Sequence, residues 1–226
     1  MNTGEIPKTT DNGLITTIAW GLEGKVNYAL EGSIFVCGAA IQWLRDGMRL
    51  IESAQDSEYY AKKVKDSDGV LVVPAFQGLG APHWDPYARG IIIGITRATN
   101  KYHIIRATLE SLAYQTADVI SLMESTAGKN IKSLAVDGGA SANDLLMQFQ
   151  ADILGVEIER PECVETTALG AAYLAGLSTG VYASTDDIIA NRKIGKIFTP
   201  STDDAWRKEK LEIWNRAVER CLNWKM

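Results

Sequence analysis

The stretch SLAVDGGASANDLLMQFQADIL, residues 133–154, contains the change of pattern that decides the fold. Leu134 and Val136 are alternating apolar positions, which is typical of a buried strand. Beyond the glycines the apolar residues recur at helical spacing, at Leu145, Leu146, Phe149 and Ile153. The stretch therefore predicts a strand that turns through Asp137, Gly138, Gly139 and Ala140 directly into an amphipathic helix.

A strand-to-helix turn rich in glycine is suited to a ligand. Glycine has no Cβ, so a flat or phosphorylated group can lie against the backbone. The start of the following helix offers unpaired N–H groups and the positive end of the helix dipole. A nucleotide site is one interpretation, but a tight connection that binds nothing uses the same residues, and the turn alone leaves both open.

Composition and charge argue against several classes of protein. The chain has 226 residues, 46% of them hydrophobic, which is enough for a sizeable core. Its net charge is −5 with acids and bases interspersed, so no basic stripe follows a phosphate backbone and nucleic acid is not an expected partner. The apolar runs are shorter than the roughly 20 residues of a membrane helix. With a polar N-terminus, these features predict a cytoplasmic protein without membrane contact.

The three cysteines give no sign of a metal or disulfide framework. Cys37, Cys163 and Cys221 are widely spaced, with neither a CxxC pair nor a nearby histidine cluster. This pattern favours reduced thiols and argues against a structural metal.

Strands and helices alternate through the rest of the chain. Strands are predicted over residues 14–20 and 26–30, joined by a turn at 21–24, and over 70–75, 91–95 and 156–159. Helices are predicted over residues 33–53, 101–125 and 202–224, and from Thr166 onwards. Residues 55–68 are interpreted as a polar connection. The order predicts an α/β domain in which helices flank a mixed sheet.

Four blocks of sequence resemble the C-terminal domain of the FGGY carbohydrate kinases, a family of the actin, sugar kinase and Hsp70 ATPase superfamily. The blocks are NYALEGSIFVCGAAIQWLRD from Asn27, VVPAFQGLGAPHWDPYARG from Val72, residues 90–110, and VDGGASAN together with ETTALGAAYLAGL. The third block is similar to the second signature of the family. Because the resemblance covers nearly the whole chain, it implies one C-terminal kinase domain, residues 1–226, with an actin-like ATPase (ribonuclease H-like) fold.

Within the family, the blocks resemble the glycerol kinases more than the xylulokinases or gluconokinases. The implied reaction transfers the γ-phosphate of ATP to glycerol, giving sn-glycerol 3-phosphate and ADP. ATP or ADP is the implied cofactor, with Mg²⁺ accompanying the nucleotide in the full-length enzyme. Glycerol is expected to bind through an N-terminal domain, and a homo-oligomer is left open.

The resemblance also assigns a nucleotide site residue by residue. Asp137, Gly138, Gly139 and Ala140 match the adenosine motif, in which Gly139 lets the nucleotide lie against the backbone and Asn143 hydrogen-bonds it. Gly38 and Gln42 match the opposite wall, and their spacing of four places both on one side of a helix. From the residues alone, Gly38 could equally be a helix-packing glycine and Gln42 a solvated polar residue.

The catalytic groups of the family are expected outside these 226 residues. In the resembling kinases the general-base aspartate, the glycerol-binding residues, the magnesium carboxylates and the phosphate loops lie in the N-terminal domain or just before the position of Met1. No catalytic or metal-binding residue is therefore assigned here. Phosphoryl transfer depends on positioning and on neutralising charge at the γ-phosphate, so we expect the chain to be inactive alone.

Two alternatives remain from the sequence. The first is the same domain of another FGGY sugar kinase, acting on xylulose or gluconate. The second is a non-catalytic actin-like module, which is disfavoured because a pure scaffold has no need of the DGGA turn together with Asn143 and Gln42.

Overall fold

The computed structural model describes residues 1–11 and 13–225. In chain order the strands are β1 (Asn2–Gly4), β2 (Ile15–Leu22), β3 (Lys25–Glu31), β4 (Leu71–Val73), β5 (Ile91–Ile93), β6 (Ser133–Ala135), β7 (Glu157–Pro161) and β8 (Ile194–Phe198). The helices are α1 (Gly38–Gln42), α2 (Asp56–Ala61), α3 (Lys101–Ala127), α4 (Asp144–Leu154), α5 (Thr166–Thr179), α6 (Thr185–Asn191) and α7 (Asp204–Glu219). Residues Trp43–Gly47 extend α1 as a π-helical turn, and Gly139–Ala142 form a 3-10 turn before α4.

The described strands pair in three small sheets. The first is antiparallel with the order β1-β3-β2, and the second is the antiparallel pair β4-β5. In the third, β6 runs parallel to β7 and β7 antiparallel to β8. This third sheet is mixed, as predicted, and it leads into the turn that precedes α4.

The N-terminal hairpin forms where the alternating pattern predicts it. Leu22 pairs with Lys25, so Glu23 and Gly24 are the two turn residues. Both have positive φ, 51° and 78°, which is the geometry of a type I′ turn, whose twist matches that of the flanking strands.

Helix α3 is the central element of the core. Asn100 caps its start by accepting from Tyr102 N at 2.9 Å, and Gly128, in the left-handed region, ends it. Its buried face packs on α4 and includes Tyr114, which stacks on Trp214 of α7 with ring centroids 5.0 Å apart. The last helix is therefore fixed to the body of the domain through a tryptophan that is 1% exposed.

The predicted helix over residues 33–53 is wrong at both ends. Ser33 is not helical, and its carbonyl oxygen accepts from Ala81 N of a distant loop at 3.1 Å. Helix α1 begins at Gly38, and its π-helical extension ends at Gly47, two residues before Arg49, which has a φ of 54°. The sequence analysis also missed four elements: β1, α2, α6 and β8. Among the described residues, no helix combines the length and apolarity needed to cross a bilayer.

Candidate functional site

A cavity of about 400 Å³ lies between α1, α2, α3 and the turn that precedes α4. The buried apolar part of its lining consists of Ile41, Leu109, Leu112 and Leu146, and the buried polar Ser57 also lines it. Small residues border it from two sides: Gly38 on α1, and Gly139, Ala140 and Ala142 on the turn. Its polar lining includes Gln42, Arg45, Gln55, Ser57, Glu58 and Asn143. A mostly apolar cavity with a few polar groups is typical of a small-molecule site.

Gly38 and Gly139 border this cavity without a requirement from the fold. A Cβ built on either residue would meet no heavy atom within 4 Å, and neither has a left-handed φ. Gly38 is the first residue of α1 and Gly139 the first residue of the 3-10 turn. Neither packing nor backbone conformation therefore accounts for glycine at these two positions.

Gly138 differs, because its backbone conformation requires glycine. Its φ is 75°, and this conformation lets its carbonyl oxygen accept from both Ser141 N at 3.1 Å and Ser141 Oγ at 2.7 Å. Gly138 N donates to Val164 O at 3.3 Å. These contacts give the turn a defined shape, so the role of Gly138 lies in the turn itself.

The side-chain oxygen of Asn143 caps helix α4. Asn143 is the N-cap residue, and its Oδ1 accepts from Leu146 N at 2.9 Å. Its Nδ2 lies 3.5 Å from Ser57 Oγ, at the limit of a hydrogen bond. The amide nitrogen is thus the group of this side chain that a ligand in the cavity would contact.

Asp137 does not line the first cavity. It lines a second cavity of about 550 Å³, bordered by α5 and by Cys163, Thr166 and Arg192. Of the seven residues predicted for the nucleotide site, five line the first cavity: Gly38, Gln42, Gly139, Ala140 and Asn143.

The sequence analysis missed the wall contributed by α2, because it interpreted residues 55–68 as a polar connection. Ser57 is 2% exposed, and Glu58 Oε2 accepts from Asp144 N at 3.2 Å. The available signal was local: acidic residues at Asp56 and Glu58 begin a run that can form a helix.

Two cations lie beside the start of α4. Lys196 Nζ is 2.6 Å from Asp144 Oδ2, and Arg160 Nη1 is 2.9 Å from Asp144 Oδ1. The hydrogen bond from Lys196, followed by that from Arg160, holds the pKa of the Asp144 carboxyl below its ordinary value. The carboxylate is therefore ionised at the first position of α4, where it interacts favourably with the helix dipole.

Comparison with known proteins gives this geometry its context. Residues 1–179 match the FGGY family of carbohydrate kinases, C-terminal domain. The chain belongs to the FGGY family of carbohydrate kinases. It is 61% identical to a glycerol kinase of Agathobacter rectalis over 99% of its length, and 60% identical to one of Carboxydothermus hydrogenoformans over 100%. It spans 45% of the length of each of these relatives.

Solved structures of FGGY kinases share the fold. A glycerol kinase of Plasmodium falciparum, solved with ADP, matches 98% of this chain with a TM-score of 0.92 and 39% identity. A xylulose kinase and a gluconate kinase of Lactobacillus acidophilus each match 96% of the chain with a TM-score of 0.81, at 22% and 24% identity, and show the fold alone. The predicted actin-like ATPase fold is confirmed.

Proposed function

We propose that residues 1–226 form the C-terminal domain of a glycerol kinase. The observation that carries the proposal is the identity of about 60% to glycerol kinases along the whole of this chain. The proposed reaction transfers the γ-phosphate of ATP to glycerol and yields sn-glycerol 3-phosphate and ADP. Because the chain spans 45% of these relatives, the reaction is proposed for the whole protein rather than for this domain alone.

In this proposal the 400 Å³ cavity holds the adenosine part of the nucleotide. The ADP in the related Plasmodium falciparum kinase supports a nucleotide ligand. The base would lie on the backbone of Gly139 and Ala140, with Gly38 leaving room on the opposite side. Gln42 and the Nδ2 group of Asn143 would then be hydrogen-bond donors to the sugar and phosphates. Asp137 and Gly138 would act through the shape of the turn.

A magnesium ion is not assigned to residues of this chain. No three histidine, cysteine, aspartate or glutamate side chains cluster as metal ligands in residues 1–11 and 13–225. The carboxylate in the cavity lining, Glu58, is already paired with Lys62. In this proposal an ion that accompanies the nucleotide is held by the phosphates and by other parts of the kinase. The role proposed for this domain is to bind and orient ATP, which contributes to phosphoryl transfer through positioning.

A hybrid enzyme tests the proposal. The part of the Carboxydothermus hydrogenoformans glycerol kinase that precedes its matching 226-residue segment is joined to this chain; we call this protein the hybrid kinase. ADP release is measured with glycerol, xylulose and gluconate as acceptors, beside the unaltered Carboxydothermus enzyme. The 226-residue chain without the added part is expected to release no ADP above background.

ADP release with glycerol that depends on an intact cavity would support the proposal. The matched variant is Gly139→Val, which should abolish ATP use without unfolding the hybrid kinase, because the valine side chain enters the space in which the base lies. A folded hybrid kinase that uses none of the three acceptors would refute the proposed function. If the Gly139→Val variant released ADP as fast as the hybrid kinase with Gly139, the assignment of the cavity to the nucleotide would be refuted.

A further inference from the structure

Arg160 contacts the turn that borders the cavity, although it lies on β7 and outside the cavity lining. Its Nη1 donates to Ser141 O at 2.7 Å and lies 2.9 Å from Asp144 Oδ1. The guanidinium carbon is 5.3 Å from the ring centroid of Phe198 on β8, and the side chain is 18% exposed. A single nitrogen thus joins the end of the 3-10 turn to the start of α4, with Asn143 between the two acceptors.

The other side chains that support this segment each contact one residue of it. Glu58 accepts from Asp144 N at 3.2 Å, Ser57 Oγ lies 3.5 Å from Asn143 Nδ2, and Lys196 pairs with the Asp144 carboxylate. Lys196 is 46% exposed, so solvent and salt weaken its ion pair. Arg160 is more buried than Lys196, and its charged N–H groups form short hydrogen bonds, which are stronger than those between neutral groups.

We propose that Arg160 is a positioning residue for the nucleotide: it holds residues 141–144 so that the backbone of Gly139 and Ala140 and the amide of Asn143 face the cavity before the ligand arrives. This inference rests on the proposed function, because it takes the cavity as the nucleotide site. Without the guanidinium, the free protein would populate several arrangements of the turn. ATP would have to select one of them, which lowers its apparent affinity although no contacting group has been removed.

The experiment compares Arg160→Gln with Arg192→Gln in the hybrid kinase. Arg192 is the matched control, because it also pairs with a carboxylate, that of Glu159 on β7, at 3.1 Å. It is 43% exposed, and within residues 1–11 and 13–225 it makes no hydrogen bond or ion pair to the turn. Arg160→Gln should raise the KM for ATP about tenfold, the effect of losing one charged hydrogen bond. The KM for glycerol should stay unchanged, and amide hydrogen exchange over residues 138–144 should become faster. Arg192→Gln should leave both KM values and this exchange unchanged.

A purely structural role would raise both KM values together or lower only the melting temperature, and either result would overturn the proposal. An unchanged KM for ATP in Arg160→Gln would also overturn it. If Arg160→Gln does not fold, the test is made with Arg160→Lys. This variant retains the charge and one of the contacts to Ser141 O and Asp144, so it should raise the KM for ATP by less than the factor expected for Arg160→Gln. An unchanged KM for ATP in Arg160→Lys would then refute the inference. A folded hybrid kinase of native sequence that does not use ATP would refute the proposed function, and this inference with it.

Discussion

Replacing Gly139 with alanine separates the requirements of the fold from those of a ligand. A Cβ at this position has no heavy atom within 4 Å and the backbone is not left-handed, so alanine fits the folded chain without strain. Alanine also has fewer conformations than glycine in the unfolded chain. The free energy of unfolding should therefore stay constant or rise, by up to about 0.4–1 kcal/mol.

The effect on nucleotide binding should have the opposite sign. Gly139 lines the 400 Å³ cavity together with Gly38 and Ala140. If the base lies on this backbone, the new methyl group occupies its space, and overfilling a packed contact costs roughly 1–3 kcal/mol. Because 1.4 kcal/mol corresponds to a factor of ten, the Kd for ADP should rise by about 5- to 150-fold.

Two measurements on the same protein test this reasoning. Urea unfolding gives the stability of the 226-residue chain, and amide NMR shifts during an ADP titration give the affinity. Gly138→Ala is the control for backbone strain: with a φ of 75° it should lose about 1–2 kcal/mol of stability. The argument would be refuted if the Gly139→Ala variant had the same Kd for ADP as the native chain. It would also be refuted if Gly139→Ala lowered the free energy of unfolding as much as Gly138→Ala does.

Two further predictions concern stability. Gly94→Ala should lower the free energy of unfolding by about 2–4 kcal/mol in urea, because its Cβ would lie 2.0 Å from Gly69 O at a φ of 85°; wild-type stability would contradict this. Burial raises the pKa of Asp118 to about 6, although Trp214 Nε1 donates to it at 2.8 Å. The folded chain thus holds this proton more tightly than the unfolded chain, so the stability due to the group is fully present below its ordinary pKa of 3.8 and is lost as pH rises through about 6. The stability of Asp118→Asn relative to the native chain should therefore rise by about 2–3 kcal/mol from about pH 4 to about pH 7, and a constant difference across urea titrations at these pH values would contradict the shift.

Local pattern was enough to predict some elements of the fold. The hairpin of β2 and β3 and the helix α3 depend on alternation, turn residues and caps that lie within the elements themselves. Residues 33–37 fall within the predicted helix, yet they are irregular, and Ser33 O accepts from Ala81 N instead of from a helical partner. Ala81 lies on a loop whose position depends on the tertiary structure, so no local pattern could show that the helix begins at Gly38.

In the candidate site, too, some residues could be predicted from the sequence and others could not. The family resemblance placed Gly38, Gln42 and Asn143 at the nucleotide, and the structure brings all three to one cavity. The supporting residues were not predicted, because their contacts join distant parts of the chain: Ser57 is 86 residues from Asn143, and Arg160 is 19 residues from Ser141. A sequence motif identifies the residues expected to contact a ligand. The residues that hold the motif in place are determined by tertiary packing and can be named only from the structure.

The glycines that border the cavity are consistent with the ligand site proposed for it. Gly138 is needed for its left-handed backbone, and Gly80 for space, since a Cβ there would lie 2.2 Å from Ser33 O. Gly38 and Gly139 meet neither condition. They lie on two different segments but border the same cavity. A group that approaches both backbones at once accounts for the two glycines together, and a flat base held between α1 and the turn is such a group.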